Sequence, residues 1–558
     1  MKFKFPALMG LALILLNSET VNAAPVPPDA GQVTRELQKP TLVAPQAPLK
    51  LRVDENATNK NARSDVRFMV KAIRISGNSV IAESELEALV ADLLGAEHSL
   101  AELDAGAARI TAYYRARDYV VARAYLPAQE IKDGVVNIAV IEGRIDKQRL
   151  NNQSRLSDAR ANEYLSHVRE GAPVAAAPVD RALLLMSDTP GVGGARATLQ
   201  PGASVGTSDL VVGLEPGAPY SGSVELDNYG NRYTGEYRLG GNFKLNSPLG
   251  IGDQLTLRAL VSDQNLSYGR LAYQVPIGGD GLRLGAAYSD THYRLGKDFA
   301  ILKAHGTATS SSVFAIYPFV RSQLSNLSGT FTWEEKKLND VVDATATVTG
   351  KRVQLANLGL TGNNRDTLGG GGISAVDLSL ATGRLDIDSP SALFIDSLSA
   401  RTNGAYARLA YNASRLQRLT SDNVFYASLS GQAADKNLDS SEKFSLGGAS
   451  GVRAYPQGEA IGDEGTLVNL ELRHNFTETI QGLVFYDTGS ITINRKPFGP
   501  PANNSRTLSG AGIGANTTMA TIQIKVYVAW RTHGGQSTSE PASVNRNPRS
   551  WLQASMPF

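Results

Sequence analysis

The 558-residue sequence contains no cysteine. That excludes disulfides, thiolate metal sites and a cysteine nucleophile together. It has no uninterrupted apolar run of about 18 residues, so no segment after the N-terminus is expected to cross a bilayer as a helix. It also carries little net charge, +2 from Lys+Arg 55 against Asp+Glu 53, which argues against a nucleic-acid partner. Histidine is scarce, and His98, His292 and His474 show no i, i+4 pairing, so a helical zinc site has no support. No G-x-x-x-x-G-K-[ST] phosphate cradle occurs. The glycine run "GAGIGA" at Gly510 imitates a dinucleotide loop, but it has no following helix and reads as a flexible strand or turn. "EEKK", Glu334 to Lys337, reads as a solvated strand end, and the acid pair Asp463 and Glu464 falls in a loop. Nothing positions that pair for glycoside chemistry. The residues predict no enzyme, no metal and no cofactor.

What is present begins with an export signal over residues 1–23: Lys2 and Lys4, an apolar run from Phe5 to Leu16, then "VNA" before Ala24. Residues 24–67 are linker-like, except that "PDAGQVTRELQ", Pro28 to Gln38, can form one short helix with Asp29 near its start. A helix that short is marginal alone and needs something to pack into. Residues 68–145 read as β-α-α-β-β. "FMVKAIRISGN" is the first strand, with Met69, Ile73 and Ile75 in one parity; "ESELEALVADLLG" and a segment from Leu103 to Tyr119 are helical; "VVARAYLPAQ" and "VVNIAVIEGRI" are strands. Residues 146–218 repeat the pattern more loosely.

From about residue 219 to 558 helical rhythm gives way to segments of roughly ten alternating residues between Gly/Asn/Asp-rich turns. In "TIQIKVYVAWR", Ile522, Ile524, Val526, Val528 and Trp530 share one face, and Gln523, Lys525, Tyr527 and Arg531 the other. A soluble sandwich would alternate too. Against it stand the length of the region, the repeated charges on the polar face (Arg270, Arg283, Lys525), which a dry core would not tolerate, and a final strand ending on Phe558. The expected fold is α+β modules followed by an antiparallel transmembrane β-barrel of roughly sixteen strands.

Several stretches together resemble a TpsB transporter of two-partner secretion. "YYRARDYVVARAYLPAQEIKDGVVNIAVIEGRI" is similar to the second half of that family's first POTRA domain, with Asp118 where glycine is usual. "RALLLMSDTPGVGGARATLQPG" resembles the second POTRA domain. "GVRAYPQGEAIGDEG", within a loop near 445–465, resembles the inward-folding loop with a VRGY-type tip (Val452, Tyr455), and carries Ala454 where glycine is common. "FYDTG", Phe485 to Gly489, matches the F-x-D-x-G motif of the barrel wall. The resemblance implies that Arg453 pairs with Asp487 to lock the loop and that the N-terminal helix plugs the lumen. Phe558, preceded by a less typical Pro557, would serve as the signal read by the barrel-assembly machinery. It further implies an outer-membrane pore, with POTRA domains in the periplasm, that secretes a large exoprotein of haemolysin or adhesin type. Two alternatives stay open: a barrel-assembly insertase of the same superfamily, and a passive porin, which would have no need of the modules.

Overall fold

The computed structural model describes residues 26–37, 52–53, 67–500 and 503–558. The predicted signal sequence, and the linker on either side of 52–53, lie outside them. None of the described helices is long and apolar enough to cross a membrane.

The predicted first strand divides. Arg67–Met69 pairs with Glu97–Ser99, whereas Ala72–Ser76 joins a separate sheet with Val135–Ile141 and Arg123–Tyr125. Ile73 and Ile75 are buried as expected, but Met69 is exposed, because the chain changes sheets between them. The helix expected over "ESELEALVADLLG" stops after Glu83–Ala88 and resumes as a 3₁₀ turn, Ala91–Leu93. Leu86, Val90 and Leu93 still reach the core; Leu94 does not. The following helix, Leu100–Ala116, starts at a capping box in which Ser99 and Glu102 satisfy each other's backbone N–H groups. The module is stapled by the buried Glu142 carboxylate. It accepts from the N–H groups of Ser79 (2.6 Å) and Val80 (2.9 Å), from the Ser79 hydroxyl, and from the Tyr114 hydroxyl (2.9 Å).

A second sheet runs in the order Arg52–Val53, Val192–Pro201, Thr207–Pro216, Arg144–Asn152. Its outermost strand comes from the stretch read as linker: Arg52 and Val53 lie parallel to Thr198 and Leu199. This module is clamped to one end of the barrel. Arg321 grips the Asp188 carboxylate with two bonds (2.6 and 2.9 Å), Gln323 donates to Asp180 (2.9 Å), and Arg181 donates to the Pro318 carbonyl (2.9 Å).

Sixteen strands close the barrel, each antiparallel to its neighbours. The seam joins Tyr220–Asp227 to Arg549–Pro557, in register from Ser223↔Pro557 to Asp227↔Gln553. Phe558 extends it, exchanging two backbone bonds with Gly222 (2.9 and 3.0 Å). The alternation predicted for "TIQIKVYVAWR" holds in the wall: Ile522, Val526 and Trp530 are exposed on the outside, and Tyr527 turns inward among the buried residues. An apolar exterior over a charged interior is the pattern of a barrel in lipid, where every backbone group is satisfied by a neighbouring strand.

Candidate functional site: a loop and a helix in the lumen

The segment between the strands Asn423–Ala434 and Glu464–Asn475 enters the barrel instead of leaving it. Its tip is packed: Val452, Ala454 and Tyr455 are each 0% exposed and Arg453 is 4% exposed. The receiving wall is the strand Ile480–Thr492. There Leu483, Phe485, Asp487, Gly489 and Ile491 face inward and are buried, while Val484 and Tyr486 face out and are exposed.

The fork of Arg453 meets Asp487 with both ends, Nε at 2.9 Å and Nη2 at 2.7 Å, and its backbone N–H adds a third bond at 3.0 Å. Nη1 donates to Glu471 at 2.7 Å, and the guanidinium plane lies 3.5 Å from the centre of the Phe485 ring. The Arg453 carbonyl accepts from the Trp551 indole at 2.7 Å. Asn469 bridges wall and loop, donating to Asp487 (2.8 Å) and to the Gly451 carbonyl (3.0 Å). Arg473 supplies the second cation, 2.7 Å from Glu471, so two guanidinium groups face two carboxylates. Burial alone would pull the Arg453 guanidinium down; its hydrogen bonds to Asp487 and the adjacent carboxylate charges outweigh that and leave it raised. Tyr455 reaches across to the carbonyls of His533 (2.8 Å) and Gly535 (3.0 Å). Gly489 sits beneath Leu446, where the loop enters.

The glycine run at Gly510 is strand, not turn. It lies in the middle of Ser505–Met519, beside the receiving strand. A Cβ on Gly510 would come within 2.5 Å of the Ala454 methyl, and Gly512 and Gly514 lie under the Phe485 and Tyr527 rings. The missing side chains make room for the loop tip and for the aromatic bed of Arg453. Ala454 has no positive φ, so alanine carries no backbone penalty where glycine is common.

Further along the loop, Glu459 is fully buried. It pairs with Arg506 and accepts from the N–H groups of Thr538 (2.8 Å) and Ser539 (2.9 Å). Of the acid pair read as a loop, Glu464 begins the strand Glu464–Asn475, and Asp463 just before it is fully buried, bonded to Lys443 (2.8 Å) and to the N–H groups of Leu438 and Arg495. "EEKK" is corrected likewise. It lies inside the strand Ser325–Val342, and Lys336 points into the lumen, 2.8 Å from Glu442, which also holds Arg408 at 2.9 Å. Charges on a two-sided strand looked solvated because the sequence does not show what fills the barrel.

The N-terminal helix, Ala30–Leu37, is part of that filling. Ala30, Val33 and Leu37 pack against inward residues such as Leu260, Tyr268, Tyr293 and Leu338. Asp29 caps its first turn (Gln32 N–H, 2.9 Å) and reaches the gate loop through Ser440 (2.7 Å). Lys351 stands between two carboxylates, 3.3 Å from Asp29 of the helix and 2.8 Å from Asp439 of the loop. Burial pushes Asp439 up, but the Lys351 charge together with the hydrogen bonds from Lys351 and Ser441 outweighs it and holds the carboxyl below the usual range. Helix and loop thus share one cation.

A closed barrel with an apolar outside, a charged interior, two α/β modules at one end and a loop folded into its lumen defines a class, an outer-membrane pore for polypeptides. The profile of the haemolysin secretion/activation proteins ShlB/FhaC/HecB matches residues 206–517, and that of the ShlB-type POTRA domain matches residues 68–143. The chain is 29% identical over 520 residues to the heme/hemopexin transporter protein HuxB of Haemophilus influenzae, covering 90% of this chain and 91% of that one. It is 25% identical over 464 residues to the hemolysin transporter protein ShlB of Serratia marcescens, covering 78% and 77%. In three dimensions it superposes on CdiB from Escherichia coli with a TM-score of 0.72 at 19% identity, over 95% of this chain and 96% of that one. The chain belongs to the haemolysin secretion/activation family, the TpsB transporters of two-partner secretion. It is an outer-membrane translocation pore that secretes a partner exoprotein, with its POTRA domains in the periplasm and the opposite rim on the cell surface. The family is one of secretion pores, not of enzymes.

Proposed function

We propose that Arg453 and Asp487 are the lock that keeps the inward loop in its closed position, and that the helix Ala30–Leu37 is a plug withdrawn before export. The supporting observation is the three-bond contact of Arg453 with a carboxylate that is 0% exposed. A buried pair costs about 3–5 kcal/mol to break by deleting one member, because the other is left bare. Val452 and Tyr455 seat the tip, Phe485 and Gly489 shape its receptor, and Phe558 is the assembly signal. The chain divides into residues 24–67 (plug and linker), 68–145 and 146–218 (two POTRA domains) and 219–558 (barrel). Its outer belt meets lipid. It binds no nucleic acid and catalyses no reaction; export is driven by the client folding outside.

The client's N-terminal region docks by adding a strand to the first POTRA sheet. "VVNIAVIEGRI" is no candidate for that edge, because Val135–Ile141 has a partner on each side. Among the described residues, the edges of that sheet without a further partner strand are Ala72–Ser76 and Arg123–Tyr125. An insertase shares much of this architecture: BamA from Haemophilus ducreyi lacking POTRA domains 1–3 superposes with a TM-score of 0.51 at 15% identity. Secretion is the activity of the family the chain belongs to, and the lumen-filling helix Ala30–Leu37 fits a pore that is held shut until export. The deciding experiment introduces Asp487→Asn and follows the medium and the membrane together. Loss of one large exoprotein, with other barrels unaffected, supports the lock and the secretion role; depletion of other barrels supports the insertase.

A further inference from the structure

The surface loop between the strands Ile522–His533 and Arg549–Pro557 folds down onto the inward loop, and Glu459 is where they meet. This carboxylate, 0% exposed, accepts from the N–H and hydroxyl of Thr538 (2.8 and 3.1 Å) and from the N–H and hydroxyl of Ser539, the N–H at 2.9 Å. It also pairs with Arg506, which donates in turn to the Gln536 carbonyl (3.0 Å) and the Thr538 hydroxyl. One ion pair therefore ties together the gate loop, the wall strand Ser505–Met519 and the surface loop. Within the gate loop, the N–H groups of Leu446 and Gly447 donate to the carbonyls of Ala460 (3.1 Å) and Glu459 (3.0 Å). Its two limbs are thus one hairpin, and an anchor at Glu459 holds both.

The polarity is the reverse of the contact described above. Arg453 brings a cation from the loop to a carboxylate on the wall, whereas Glu459 brings a carboxylate from the loop to a cation on the wall. The two wall residues lie on neighbouring strands, with Asp487 opposite Gly510 and Ile491 opposite Arg506. Arg506 therefore stands four residues nearer the surface rim than the level of Asp487, about 13 Å along the strand. A loop displaced outward would carry Arg453 toward Arg506, and like charges oppose that register. A polypeptide entering from the periplasm reaches the level of Asp487 first and that of Arg506 second.

We propose that Glu459 and Arg506 form a second latch, a pair of positioning residues that keeps the returning limb and the surface loop together after the tip has let go of Asp487. Opening then runs outward, tip first and mouth last. The tip reaches the surface loop at its root, where Tyr455 donates to the carbonyls of His533 and Gly535. Residues 536–539 stay held by the second pair when that contact is lost. A buried pair seldom stabilises more than an apolar contact of the same volume, but removing one partner leaves the other bare. It therefore fails as a unit, which suits a latch.

The inference rests on the lock reading, and thiol labelling separates the two. Ser537 is 8% exposed beneath the latch, and Ser537→Cys gives a chain without cysteine one thiol there. In outer-membrane preparations, adding Glu459→Gln should speed maleimide labelling of that thiol about tenfold or more. The Val452→Cys reporter, still held by Arg453, should change by less than about twofold. Arg506→Gln should reproduce the effect, and the double variant should label no faster than either single one, because the two residues act as one pair. Unchanged labelling at position 537, equal acceleration at both positions, or additive effects in the double variant overturn the proposal. Failure of both single variants to give a heat-modifiable barrel also overturns it, since the pair would then serve folding. If instead Asp487→Asn leaves the Val452→Cys rate unchanged, the first lock falls, whatever happens at position 537.

Discussion

Asp487→Asn tests the lock most directly. The substitution keeps shape but removes the charge that receives both arms of Arg453 and its backbone N–H. It also turns an amide toward donors, since Asn469 and Arg453 both approach this carboxylate with N–H groups. Deleting one member of a buried pair costs about 3–5 kcal/mol. Arg453 would keep Glu471 at 2.7 Å and the Phe485 ring at 3.5 Å, so the lower end applies. About 3 kcal/mol raises the population of the released loop roughly 100-fold. Because the chain has no cysteine, Val452→Cys is a unique reporter at a position 0% exposed in the locked state. Maleimide labelling of this thiol in outer-membrane preparations should accelerate about as much when Asp487→Asn is added, and secretion should stop. Equal labelling rates with and without the second substitution would refute the lock.

Other consequences follow from the same contacts. Gly510→Ala places a methyl against the Ala454 Cβ and should weaken loop docking by about 1–3 kcal/mol; adding Ala454→Gly should restore it, measured by the same labelling. Removal of Pro28 to Lys39 should raise single-channel conductance in planar bilayers, and an unchanged value would argue against the plug. In the first module, burial pushes Glu142 up, but its bonds from Ser79, Val80 and Tyr114 prevail and hold it below the ordinary 4.5. A lowered native value stabilises above the unfolded one and is lost as pH falls through the native one. Protection of the Ser79 and Val80 amides against hydrogen exchange, taken relative to their intrinsic rates at each pH, should therefore fall below about pH 4.5 in the full chain, and Glu142→Gln should abolish that dependence.

Period decided most of what could be read in advance. Two-residue alternation over some 340 residues, with charges on the polar parity, leaves a barrel as the economical solution, and Phe485 and Asp487 share their inward parity because side chains alternate along any strand. The arginine between Val452 and Tyr455 pointed to a buried partner, since a solvated loop has no use for a cation among apolar groups. Local rhythm could not say which carboxylates and aromatics converge on it. Glu471, Asn469, Tyr527 and Trp551 come from three strands of one five-strand run, Tyr527 and Trp551 directly paired, and they meet Arg453 only through the register and curvature of that wall. The same ignorance of the lumen made Lys336 look solvated and the glycines at 510–514 look flexible. Sequence period determines which side of the wall a residue faces; only the closed cylinder decides what meets it there, because that depends on register accumulated around sixteen strands.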